Sequence, residues 1–306
     1  MYDLAILGGG PAAVSAGVYA SRKQLKTIFI TETWGGQSTV SDGIENWIGT
    51  VSIPGPELAK NLEEHLKAYA KDIVTIKEGV RVEKVEKADE GFLVTAGGEQ
   101  YKAKTVLVAT GSHRRKLEVP GAEQFDNKGI TYCASCDGPL FSGMEVAVIG
   151  GGNAGFETAA QLLAYTKHVT LLQRSGEYRA DPITVEKVLA HPNMTGITNT
   201  EILEVKGDKF AKALVYKKTD TGETVELPAS GIFVEIGALP SVGYLGDLVD
   251  LTDYKQVKID PWTQKTSCEG IWAAGDCTNA LYHQNNIAAG DAVKALEDIY
   301  MHLHGK

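Results

Sequence analysis

Two stretches of this chain, YDLAILGGGPAAVSAG from Tyr2 and EVAVIGGGNAGFETA from Glu145, share one layout: a short aliphatic run, three consecutive glycines and a helix of small residues. Such a run requires a strand that turns sharply into a helix, a backbone that an anion can approach, and a helix packed closely on its own strand. Gly8, Gly10 and Ala13 fill the G-x-G-x-x-G/A positions of the first copy, with Pro11 opening its helix. Gly150, Gly152 and Gly155 fill those of the second, with Asn153 in the equivalent place. A helix start aimed this way turns its partial positive charge towards a phosphate. One copy alone fits a glycine-rich turn in any α/β protein, whereas two copies, each behind a strand pattern, predict two dinucleotide sites.

The 306 residues suffice for about two domains. In the first, Glu32 ends the strand pattern KTIFITE near the distance expected of a residue that bonds an adenosine ribose, although a solvated strand end fits it equally. The matching strand of the second, HVTLLQRS, ends in Gln173 and Arg174 with no acid, and a cation there suits a 2′-phosphate. Residues 35–49 read as an irregular loop, residues 57–71 as an amphipathic helix, and residues 80–112 as alternating strands. Residues 113–120 read as a linker. The second unit is expected over 114–242, with a late hairpin and a buried strand ending at Gly237. The tail after it is too short for a core of its own and is expected to return to the first domain.

A formal charge of −9 argues against nucleic acid or an anionic membrane as partner. No apolar run approaches the roughly 18 residues of a membrane span. The first strand begins at Tyr2, without room for a signal peptide, so a cytoplasmic location is expected. Four cysteines in a reducing compartment do not suggest a structural disulfide framework. Cys133 and Cys136, in YCASCDG, fit either a metal or a redox pair. A zinc ribbon needs a second close pair, and Cys268 and Cys277 do not supply one, so no metal site is expected and those two read as core thiols. A redox pair needs its thiolate stabilised, as at a helix start. Asp137 then reads as a proton carrier, or as a carboxylate that only stabilises that helix.

Taken together, GGGPAA, GGQ, IENWIG, VLVATG, YCASCDGPLF, VAVIGGGNAGFETA, GIFVEIGALP and AAGDCT fall in an order that resembles the low-molecular-weight thioredoxin reductases. The likeness is strongest to the flavoprotein subunit of alkyl hydroperoxide reductase without its N-terminal thioredoxin-like module. It implies an α/β fold of two Rossmann-like domains, an NAD(P)-binding domain (114–242) inserted into a discontinuous FAD-binding domain (1–113 and 243–306). It implies that Gly8, Gly10, Pro11, Ala13 and Glu32 serve FAD, with Gly36, Gln37, Asn46, Asp276, Gln284 and Ala289 along the flavin and its chain. NADPH or NADH falls to Gly150, Gly152, Asn153, Gly155, Arg174 and Arg179. Gln173 and Ser175 depart from the pattern of NADPH users, and Gln173 from the glutamate of NADH users, so the preference stays open. The resemblance further implies a homodimer that passes electrons from nucleotide to FAD to the Cys133–Cys136 disulfide and then to a thioredoxin or glutaredoxin-like protein. Rotation of the inserted domain about its two linkers lets the pair reach both partners. An oxidase that makes peroxide, a reductase fed by ferredoxin and a redox-sensing binding module are the competing readings.

Overall fold

The computed structural model describes residues 1–41 and 43–305; Asp42, within the loop expected at 35–49, and Lys306, the last residue of the expected FAD-binding segment, lie outside it. The chain divides into two compact units, one formed by Met1–His113 with Leu239–Lys306 and the other by Arg114–Ala238.

Unit 1 opens with β1 (Tyr2–Leu7), α1 (Pro11–Arg22), β2 (Thr27–Thr31), α2 (Gly55–Ala70) and β3 (Val74–Glu78). Then come β4 (Val82–Lys87), β5 (Phe92–Ala96), β6 (Glu99–Val108) and β7 (Ser112–Arg114). β1, β2, β3 and β6 form a parallel layer, in which the aliphatic runs of β1, β2 and the end of β6 are buried while β3 lies partly exposed at the edge. β4 and β5 extend it antiparallel as a meander from β6.

Unit 2 contains β8 (Ile130–Thr131), α3 (Ala134–Asp137), β9 (Glu145–Ile149), α4 (Asn153–Leu162), β10 (His168–Leu172), α5 (Pro182–Leu189) and β11 (Met194–Ile197). These are followed by β12 (Thr200–Gly207), β13 (Ala211–Lys218), β14 (Thr224–Pro228), β15 (Gly231–Val234) and β16 (Ala238–Pro240). The five-stranded sheet runs β11-β10-β9-β15-β8, and β12-β13-β14 is a separate antiparallel sheet. β7 and β16, the strands at the two crossings of the chain, pair with each other. The chain then returns to unit 1, where β17 (Ile271–Ala273) pairs with β6 and α6 (Asn285–His304) ends the described chain. No helix among the described residues is long and apolar enough to cross a membrane.

The small residues of α1 have a packing purpose. Ala12, Ala13, Ala16 and Ala20 are buried, as are Ala288, Ala292 and Ala295 of α6, in one core with Phe29, Leu62 and Leu66. Unit 2 is filled from both faces of its sheet, by Phe156, Leu162 and Phe233 on one side and Phe125, Leu214 and Ile232 on the other.

Four readings of the sequence change. The loop at 35–49 holds a 3₁₀ turn, Gly36–Val40, and Ile44 bridges Ile53; both are short local pairings without a periodic signature. The hairpin has a third strand, β14, and the buried strand ends at Val234 rather than Gly237, because its neighbour β9 ends opposite it at Ile149 and the chain turns away at Gly150. The second crossing falls at Leu239, not residue 243.

Both glycine turns rest on a backbone contact. A Cβ on Gly150, whose φ is +121°, would lie 2.3 Å from the Glu235 carbonyl oxygen, whereas one on Gly152 would meet nothing within 4 Å. Gly150→Ala is therefore expected to destabilise unit 2 by about 2–4 kcal/mol in urea unfolding, and Gly152→Ala by less than about 1 kcal/mol.

Candidate active site

In unit 1 the strand ends of the parallel layer open into a cleft of about 880 Å³. Gly8, Gly10, Pro11, Glu32, Gly36, Gln37 and Asp276 all line it. Gly8 turns with φ +129°, and its missing Cβ is replaced by the Ala109 carbonyl, which would stand 2.2 Å away. Gly10 is open: its Cβ would find only the Gly36 Cα, at 3.9 Å. Gly10 is also the N-cap of α1 without a side-chain bond, and the first turn of α1 carries no acid, so the first N–H groups of the helix are available to an anion. Ala13 is fully buried beneath this start and does not face the cleft. Glu32 remains largely exposed, 3.9 Å from Arg81 Nε.

Asn46, Gln284 and Ala289 are not in the cleft wall, but two of them meet: Asn46 Nδ2 donates to Gln284 Oε1 at 3.1 Å. Ala289 follows Ala288, which does line the cleft. Sequence reasoning missed the residues that fasten this corner. Asn286 Nδ2 donates to the Asn46 carbonyl at 2.6 Å, and Ser38 Oγ donates to Asn285 Oδ1 at 3.2 Å. The run QNN at the start of α6 is the only signal that pointed there. Elsewhere in the cleft lining the Thr110 hydroxyl donates to the Ser241 carbonyl and lies 2.9 Å from the Tyr244 hydroxyl, whose pKa burial pushes up, so that it stays neutral.

Unit 2 repeats the device. Gly152 is an uncapped N-cap for α4, again with no acid in the first turn. Gly155 packs so tightly that a Cβ would sit 1.8 Å from the Gly150 carbonyl oxygen. Asn153 Oδ1 accepts from the Asp181 N–H at 2.8 Å and so anchors the start of α5. Arg174 and Arg179 are exposed and have no ion pair among the described residues. Gln173 is buried; its Oε1 accepts from the Gly151 N–H at 3.0 Å, and its Nε2 donates to Ser175 Oγ and the Glu177 carbonyl. Gln173 thus ties the glycine turn to the loop that carries the two arginines.

Cys133 and Cys136 are joined as a disulfide with their Cα atoms 5.3 Å apart. Cys133 is the N-cap of the short helix α3, and the Cys136 N–H donates to its Sγ at 3.2 Å. That bond favours negative charge on the sulfur once the pair is reduced. Buried Thr131, absent from the sequence reading, donates its hydroxyl to Asp137 Oδ2 and accepts from the Cys133 N–H. Thr131, two residues before Cys133, thus ties the Asp137 carboxylate to the backbone at the start of the pair.

A pair of glycine turns, one beside a two-residue-spaced disulfide, has its counterpart among known proteins. The chain matches the pyridine nucleotide-disulphide oxidoreductase family over residues 2–295. The chain belongs to that family. It is 41% identical over 306 residues to an alkyl hydroperoxide reductase subunit of Pseudomonas putida, and 38% identical over 294 residues to a protein named NADH dehydrogenase from Bacillus subtilis. Those alignments take in 99% and 96% of this chain but only 58% and 57% of the relatives, so the chain spans a little over half their length. Thioredoxin reductase from Streptococcus pyogenes superposes with a TM-score of 0.90 at 32% identity, covering 100% of this chain and 99% of that one. The fold is that of the thioredoxin reductases, and within it this chain carries a bonded CxxC pair.

Cys268 and Cys277 are free thiols. Cys277 is fully buried, and burial pushes its thiol up to about 12; Cys268 is half-buried and shifted up for the same reason. No group of three or more His, Cys, Asp or Glu among the described residues could hold a metal ion. After mild reduction, iodoacetamide at pH 8 is expected to label Cys133 and Cys136 first, Cys268 slowly and Cys277 only after unfolding, as read by peptide mass spectrometry.

Proposed function

We propose that the protein is an FAD-dependent disulfide reductase that draws on NADPH or NADH and reduces a thioredoxin or glutaredoxin-like protein through Cys133 and Cys136. The observation that carries this reading is the bonded pair in the unit with the second glycine turn. The likeness to the S. pyogenes thioredoxin reductase supports the class of acceptor, and the family model supports the two dinucleotides.

The cleft of unit 1 fits FAD on its own geometry: Gly10 leaves open space where a side chain would stand, above an uncapped helix start. Gly8, Gly10, Pro11 and the start of α1 hold its pyrophosphate, with Ala13 beneath them. Glu32 meets the adenosine ribose, Asp276 the ribityl chain or pyrophosphate, and Gly36, Gln37, Asn46, Gln284 and Ala289 lie towards the flavin. Bound FAD supplies a two-electron couple between nucleotide and disulfide. In unit 2, Gly150, Gly152, Asn153 and Gly155 shape the turn for NAD(P)H, and Arg174 and Arg179 stand where a 2′-phosphate can be met. The Bacillus relative carries NADH in its name, and neutral Gln173 excludes neither nucleotide.

The chain's own chemistry is disulfide exchange. Two electrons and two protons open the Cys133–Cys136 bond to two thiols, with Cys136 receiving the electrons and Asp137 moving a proton. The Cys133 thiolate attacks the partner's disulfide, one partner sulfur leaves as a thiolate, and Cys136 then attacks the mixed disulfide to restore the bond and release the reduced partner. One pair serving two reactants calls for rotation of unit 2 about its two crossings, and this forms part of the proposal, as do the homodimer and the cytoplasmic setting.

Anaerobic stopped flow with Cys136→Ser is expected to show thioredoxin reduction slowed by more than about 100-fold, with flavin reduction by nucleotide retained. A parental rate of thioredoxin reduction overturns the proposal. Flavin bleaching with each nucleotide in turn checks the donor: NADPH or NADH is expected to bleach it, and bleaching by neither points to a different electron source.

A further inference from the structure

Beside the glycine turn of unit 2 lies a buried carboxylate that the electron path does not use. Glu235 is the first residue past β15, and its side chain is 4% exposed. Its Oε1 accepts from the Thr158 hydroxyl at 2.9 Å, and its Oε2 lies 3.0 Å from Arg114 Nη1. Its main-chain carbonyl is the oxygen against which Gly150 turns.

This is a sensitive place for a charge. β9 and β15 are neighbours where the sheet order reverses, with β10 and β11 on one side and β8 on the other. Ligands of open parallel sheets lie outside the strand ends at such a point. Thr158 is in the second turn of α4, about 8 Å along the helix from its start at Asn153. A carboxylate at that range, inside the fold, repels a pyrophosphate at the helix start with little screening.

We infer that Arg114 and Glu235 form a charge-compensating pair that keeps the dinucleotide crevice of unit 2 receptive to a polyanion, Arg114 acting as a positioning residue through Glu235 and not by touching the ligand. The inference rests on the reading of unit 2 as the NAD(P)H site. The charged groups acting on Glu235 are Arg114 from β7, which favours its ionised form, and Glu157 from α4, which opposes it; Thr158 adds a neutral donor. Burial, the largest influence, raises the pKa of the carboxyl above its ordinary range. Removal of Arg114 takes away the opposing cation, so the pKa rises further. Above that pKa the bare charge repels the nucleotide and destabilises the fold; below it the proton relieves both.

The test is calorimetric binding of NAD⁺ and NADP⁺ to the oxidised, FAD-loaded protein between pH 5.5 and 8.5, each variant divided by the parent at the same pH so that the nucleotide's own titration cancels. Arg114→Ala is expected to weaken both nucleotides about tenfold at pH 8.5 and to come within about twofold of the parent at pH 5.5. Glu235→Gln, and Arg114→Ala combined with Glu235→Gln, are expected to bind within about twofold of the parent throughout, as is Arg114→Lys, which keeps the charge and remains informative if Arg114→Ala does not fold. A pH-independent loss that Glu235→Gln does not relieve, no loss in Arg114→Ala, or a tenfold loss in Arg114→Lys overturns the inference alone. A parent that binds neither nucleotide overturns the dinucleotide reading and this inference with it.

Discussion

A carbonyl oxygen at the end of a neighbouring strand stands where a side chain on the first glycine of the turn would have to go. It does so in each unit: Ala109 faces Gly8 in one, and Glu235 faces Gly150 in the other. This close approach sets the distance between adjacent strand ends and therefore where the following helix begins. Because neither helix start has a side-chain cap or an acid in its first turn, the free N–H groups face outward at the strand ends. The cleft of unit 1 and the uncapped helix start of unit 2 both follow from that spacing.

The two copies are not identical in their third position, and the difference is steric. Gly155 has no room for a Cβ because the Gly150 carbonyl is in the way. Ala13 keeps its methyl group and is fully buried in the core shared by α1, α2 and α6. At this third position the first copy is packed among helices, whereas the second abuts its own backbone. Unit 2 compensates with side chains: Gln173 and Asn153 brace its turn from either side.

Around the disulfide the determinants are local. Two intervening residues let Cys133 cap α3 while Cys136 sits one turn on, and Thr131 holds Asp137 from the preceding strand. Ala134 is buried in the core of unit 2 and seats the helix, while Ser135 faces outward and bonds Gln161. Cys277, by contrast, is removed from thiol chemistry by depth alone.

The sequence by itself determined the parts that depend on neighbours in the chain. The glycine spacing specified both strand, turn and helix units, the long apolar runs specified the parallel layer, and YCASCDG specified a ring that can close. The tertiary structure decided whatever depends on residues far apart in sequence. Nothing in the pattern around Asn46 announced its bond to Gln284, because that bond needs the tail to return across unit 1. Gln173 read as a position facing the nucleotide and is instead buried against the Gly151 amide. Arg114 falls in the stretch read as a linker, and Glu235 in the buried strand expected to end at Gly237. Only the fold shows that they neutralise each other, since a buried carboxylate finds its partner by proximity in space, which sequence spacing does not encode.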